Sequence, residues 1–175
     1  MPIPKRIEEY LKKTNKKFEV LGHKTVYTAY DLAQTLKKDL KEIGKALMIK
    51  VDDGYKIVVV PASQRLNIAK LKRMLKAKKI SIPNEKVMAR VFKVKPGALS
   101  AFGVFHKVET LVDKSLLKAK EVVLQAGSFT ESVVMKAKDF VEVEGARLGD
   151  FTEKAKYNLS KAASKVKKAV RRKKK

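Results

Sequence analysis

Apolar positions recur at helical spacing in some stretches of the chain and alternate in others, so helices and strands are interleaved from the start. Ile3, Ile7, Tyr10 and Leu11, with Lys and Glu between them, predict a short amphipathic helix. Phe18 to His23 alternates as a strand does. Thr28, followed three residues later by Asp31, resembles a capping box that opens a second helix to about Lys38. Next comes the clearest strand signal: IGKALMIKV, the turn Asp52-Asp53-Gly54, then YKIVVVP. Asp-Gly supplies the positive φ of a tight hairpin, and IVVV, apolar on both faces, predicts a central strand.

Asn67 caps a helix with Ile68, Leu71 and Leu75 on one side and basic residues elsewhere. Pro83 starts another, with Val87, Val91 and Val94 inward, that stops before Pro96-Gly97. GALSAFG, from Gly97 to Gly103, is small and glycine-bounded and predicts a loop with exposed backbone amides. GVFHKVETLVD, EVVLQAG and ESVVMKA read as strands, and Lys138 to Glu144 as a helical turn. Strict β-α-β alternation is absent from this order, which favours an α+β fold with a curved mixed sheet ringed by helices.

Composition changes this picture at the C-terminal end. From Thr152 onward eleven basic residues face one acid, Glu153, giving that stretch a charge of +10 out of +24 for the 175-residue chain. The reading is therefore a folded body over residues 1–151 and a lysine-rich tail over 152–175. Ala155, Leu159, Ala162, Val166 and Val170 lie at helical spacing in the tail, so it either forms a basic helix once its charge is neutralised or stays solvated. Lys154, Lys161, Lys165, Lys168, Arg171 and Arg172 are its candidate RNA contacts. Excess charge of one sign repels itself unless something negative binds, and neutralising phosphates releases counterions, so a nucleic acid is the first partner to expect. The apolar stripe is too thin for deep membrane insertion.

With no cysteine, the chain has no disulfides, thiolate metal sites or thiol chemistry. Two histidines, His23 and His106, read as surface or packed residues and are too few for a multi-histidine metal centre. No apolar run approaches the roughly 18 residues that span a bilayer, and MPIPKRIEEYLKK lacks a signal-peptide core, so the expected location is the cytoplasm with no integral membrane contact. Walker loops, GxGxxG and HExxH are missing, and no cofactor is expected. One lysine stands out. Lys45 shares a strand face with Ile43, Leu47 and Ile49, where it either snorkels at an edge or meets an anion or a reacting carbonyl in a cleft.

The order TAYDLAQTL, IGKALMIKV, VVVPASQRLNIAKL, GALSAFG, TLVDKSLL and VVLQAGSFTESVVMKAKDF resembles the YbaK/ProX family of aminoacyl-tRNA editing deacylases, related to the editing domain inserted in bacterial prolyl-tRNA synthetase. The resemblance covers roughly residues 5–150 and leaves out the tail. It implies a curved, barrel-like mixed sheet surrounded by helices, with a pocket that hydrolyses the ester of mischarged tRNA in trans, without metal or cofactor. By this resemblance Lys45 matches the family's strand lysine, which engages the tRNA 3′ end. Gly97 opens its GxxxP loop, Ala98, Leu99 and Ser100 fill the spacing, and Ala101 stands where the family has proline. Phe102-Gly103 continues the loop, while Gly127 and Ser128 match its late pocket segment. The resemblance thus makes Lys45, Gly97 and Ala101 catalytic candidates, and Ala98, Leu99, Ser100, Phe102, Gly103, Gly127 and Ser128 substrate-binding ones. Asp113 reads as the cap of the following turn. The alternative is a non-catalytic protein that keeps the fold and binds tRNA, with other RNA held through the tail, and a third reading is a general coat for nucleic acid or anionic membranes.

Overall fold

A computed structural model describes residues 2–95 and 97–155. In chain order the elements are α1 (Lys5–Lys13), β1 (Phe18–Gly22), α2 (Ala29–Leu36), β2 (Ile43–Val51), β3 (Gly54–Pro61), β4 (Gln64–Leu66), α3 (Ile68–Leu75), β5 (Ile80–Ser81), α4 (Glu85–Val87), β6 (Glu109–Asp113), β7 (Glu121–Gln125), β8 (Glu131–Lys136), α5 (Ala137–Glu144), β9 (Arg147–Gly149) and β10 (Thr152–Lys154). Local chemistry starts the helices as the spacing predicts. The Thr28 hydroxyl accepts from the Asp31 amide and the Asn67 carbonyl oxygen from the Lys70 amide, each at 3.0 Å.

The larger sheet runs β1-β8-β7-β2-β3-β6-β9, with β5 added beside β2, and its two end strands do not meet. Its pairings are mixed: β2 lies antiparallel to β3 and parallel to β7, and β6 lies parallel to β3 and to β9. The fold is α+β with a curved mixed sheet, and β3 is central as expected. Strand alternation then assigns two faces. Met48, Ile57, Val59, Val112, Leu124 and Met135 meet α1, α5 and the 99–102 segment through Ile7, Leu11, Phe140 and Phe102. Ile43, Ile49, Val58, Val60 and Leu111 meet α2 and α3 through Leu32 and Leu71. Each fully buried aliphatic side chain of this kind contributes about 1.5–3 kcal/mol.

Four local expectations change. The hairpin forms with Val51 opposite Gly54, but the positive φ of its turn falls on Asp52, at 50°, and not on the glycine. The helix after Pro83 is capped by Asn84 and continues as a π-turn over residues 88–92. That wider turn places Met88 and Phe92, four apart, against the core and leaves Val91 45% exposed. Residues 103–106 form a 3-10 turn instead of a strand, because the Gly103 amide donates to the Glu144 carboxylate at 2.7 Å and Lys107 adopts a left-handed conformation. Finally, the folded body runs past the composition change at Thr152: β10 pairs antiparallel with β4, with Lys154 opposite Gln64. Lys161, Lys165, Lys168, Arg171 and Arg172 lie outside the described residues.

Candidate functional site

Lys45 sits where the sheet is incomplete. Along one side β2 pairs with β3 from Gly44 to Val51. Along the other side β7 reaches only Ile43 and Gly44, and β5 only Lys50 and Val51. Among the described residues the edge over 45–49 therefore has no strand partner, and the sheet has a gap there. Leu47 and Met48 belong to opposite faces, yet both line the same cavity of about 180 Å³, as residues beside such a gap can.

The Lys45 side chain is half-buried opposite Val60 on β3. Burial pushes its pKa below the ordinary lysine value. Among the described residues it has no carboxylate within ion-pair distance and no hydrogen-bond partner. A desolvated cation without a counter-ion is unfavourable in the free protein and suited to an incoming anion.

The Gly97–Gly103 loop packs beside this gap and is more closed than its composition suggests. Residues 98–103 are buried, and Ala101 and Phe102 are fully so. Several of its amides are engaged: Ala98 donates to the Lys95 carbonyl, Phe102 to the Ser100 hydroxyl and Gly103 to Glu144. The decisive tie is to Gln125 at the end of β7. Its side-chain amide donates to the Gly97 carbonyl at 2.9 Å, and its own carbonyl accepts from the Ala101 amide at 2.9 Å. A proline at 101 could not make the second bond, since it has no N–H. Alanine here thus exchanges a fixed φ for a hydrogen bond to the sheet, and the loop is held at both ends.

Gly97 has φ +81°, and a Cβ there would lie 2.8 Å from the Tyr27 carbonyl oxygen, so conformation and space both require glycine. Gly127 has φ +82° and turns the chain between β7 and β8. The Ser128 hydroxyl is buried and accepts from the amides of Thr130 and Glu131, which makes it part of that turn. Phe102 packs edge-on to Phe140 in the core. Asp113 caps its turn through the Ser115 amide and also accepts from the Phe151 amide at 2.7 Å.

The loop also separates two cavities. Gly97 and Leu99 line the one beside Ala46, Leu47 and Met48. Ala98, Ser100 and Gly127 line a second, of about 250 Å³, on the side of α1. Lys45 lines neither of these two cavities, although its strand neighbours form a wall of the first. The sequence reading passed over Gln125 and the aromatic pair Tyr27 and Phe129, whose rings lie 5.3 Å apart next to Gly97. Only the aromatic just before the Thr28 cap gave a local hint. Among the described residues no group of three His, Asp or Glu side chains is placed to hold a metal ion, and no helix is long and apolar enough to cross a membrane.

Comparison with known proteins places this arrangement. Residues 23–143 match the model of the aminoacyl-tRNA editing domain, a stretch that holds β2, the Gly97 loop and the Gly127 turn. The chain belongs to that family, in its YbaK/ProX branch. A prolyl-tRNA editing protein, ProX, of Acetoanaerobium sticklandii is 24% identical over 140 residues, covering 77% of this chain and 85% of that protein. The proline–tRNA ligase of Thermosipho melanesiensis is 30% identical over 116 residues, 66% of this chain but 20% of the ligase, so the editing-domain protein spans about a fifth of that relative. A solved structure of a candidate trans-editing enzyme for prolyl tRNA synthetase superposes with a TM-score of 0.73 at 20% identity, covering 85% of this chain and 96% of the other, a likeness of fold.

Proposed function

We propose that the protein is an aminoacyl-tRNA deacylase that hydrolyses the ester of mischarged tRNA in trans. The observation that carries this reading is Lys45, a half-buried cation with no counter-ion among the described residues, at a gap in the sheet beside the Gly97 loop. An aminoacyl ester is already activated, so its hydrolysis needs an oriented water, donors for the developing oxyanion and a pocket that rejects the wrong group. Lys45 holds the anionic 3′ end of the tRNA. The loop, fixed at Gly97 and Ala101 by Gln125, positions the ester and the water along its backbone. The cavity of about 180 Å³ lined by Ala46, Met48, Met88 and Leu99 receives the amino-acid side chain and limits its size. Family membership supports the substrate class, and the excess of 42 Lys and Arg over 18 Asp and Glu supports a polyanionic partner. The basic tail adds hold on the tRNA backbone, which the salt dependence of affinity measures.

A panel of tRNAs, each charged with one amino acid, tests the proposal. Wild-type protein should shorten the ester lifetime of a subset with small side chains, and Lys45→Ala should restore the spontaneous lifetime. Equal lifetimes with and without wild-type protein, at concentrations that bind tRNA, would leave a tRNA-binding protein without the chemistry.

A further inference from the structure

The second cavity, on the α1 side of the loop, is lined by positive charge with no counter-charge among the described residues. Arg6 reaches it from α1, Lys93 and Lys95 from the segment after the π-turn, and His106 from the 3-10 turn, with Pro4 and Phe105 completing the wall. Among the described residues no carboxylate lines it. Arg6, Lys93 and Lys95 form no ion pair among the described residues. Many cations of this basic protein lack an ion-pair partner among those residues, and what sets these three apart is that they surround one hollow.

Two further features make the hollow a site. The Arg6 guanidinium lies over the Phe105 ring, 5.5 Å from its centroid, so its position is set by packing. Of the two ring nitrogens of His106, Nε2 is buried with no hydrogen-bond partner among the described residues, which leaves Nδ1 as the nitrogen that can be reached from the hollow. Burial, and after it the Arg6 charge, hold the His106 pKa below the usual histidine value, so at neutral pH this ring is an uncharged imidazole able to offer one N–H.

We propose that this cavity is a phosphate-binding site, in which Arg6 and the His106 ring bind the phosphate oxygens and Lys93 and Lys95 neutralise them from the rim. A guanidinium fork and an imidazole N–H match a tetrahedral oxyanion, and about 250 Å³ holds a phosphate group with part of its ester. The site is separate from the ester pocket, because Ala98 and Ser100 face it while Gly97 and Leu99 face the other cavity. Its existence does not depend on deacylation. The phosphate is either free or a phosphodiester of a bound RNA strand, and both share this chemistry.

Titration of the full chain with inorganic phosphate, followed by the ¹H–¹⁵N signals of the His106 ring, tests the site. Saturable shifts are expected. Arg6→Gln should weaken the affinity at least about tenfold, and His106→Gln, read through the amides of residues 98–106, should weaken it too. Lys72→Gln, an exposed change on α3 across the sheet, should leave it unaltered. Competition by a short CCA oligonucleotide assigns the site to an RNA phosphodiester, and its absence assigns it to free phosphate; each result supports the proposal. Shifts that fail to saturate, or an affinity lowered as much by Lys72→Gln as by Arg6→Gln, would overturn it.

Discussion

Lys45, near the start of β2, and Glu144, at the last turn of α5, are each withdrawn from much of the surrounding water, and in each burial pushes the pKa toward the neutral form. Their surroundings differ. Glu144 accepts from the Gly103 amide at 2.7 Å and the Thr110 hydroxyl at 2.8 Å, with the Val104 amide also facing it. Lys45 has none of these attachments among the described residues. The carboxylate ties α5 to the end of the Gly97 loop and to β6, so its charge is absorbed by structure. The lysine's charge is left available beside a gap in the sheet. In one small domain the same cost of desolvation therefore serves stability at one position and binding at the other.

That contrast breaks most visibly on removing the carboxylate. Glu144→Ala leaves the Gly103, Val104 and Thr110 donors unmatched and should lower stability by about 2–4 kcal/mol in denaturant unfolding. Next is the loop itself. Ala101→Pro restores the family's residue but deletes the bond to the Gln125 carbonyl, and should destabilise by about 1–3 kcal/mol without raising deacylation. Lys45→Met has the opposite sign: it removes an unpaired charge while keeping an apolar stem, so the melting temperature should rise as tRNA deacylation is lost. A fall in melting temperature would mean that Lys45 has a structural partner.

The smallest effect is on pH dependence. Because the folded-state pKa of Glu144 is raised, the folded chain keeps a proton that the unfolded chain has released above its value near 4.5. Its stabilising share is complete below that pH and is lost as pH climbs through the raised folded value. Glu144→Gln should flatten this part of the stability profile, and an unchanged slope would show the carboxyl to be unperturbed.

What could be read beforehand was local. Thr28 with Asp31, Asn67 and the two runs around Asp52-Asp53 carry their reasons within a few residues, and helix and hairpin followed. The run 103–108 looked like strand because the carboxylate that captures the Gly103 amide stands 41 residues away in the chain. Lys45 was visible as an odd residue on an apolar face, but the gap beside it was not. It depends on where β7 and β5 stop pairing, which no spacing within β2 encodes. Gln125 was missed for the same reason: its two bonds to the loop cross 24 to 28 residues. The resemblance supplied the Gly97 loop, and only the fold explained how alanine can stand in it.

The availability of Lys45 is tested most directly by NMR titration of its ammonium group in the full chain, free and with a CCA oligonucleotide bearing an amide-linked, non-hydrolysable aminoacyl group. The expected midpoint is below 10.5 in the free protein and moves upward when the oligonucleotide binds, because a nearby anion favours the charged form. An ordinary midpoint in the free protein, or one that stays fixed on binding, would contradict the assignment of Lys45 as the cation held for the tRNA end.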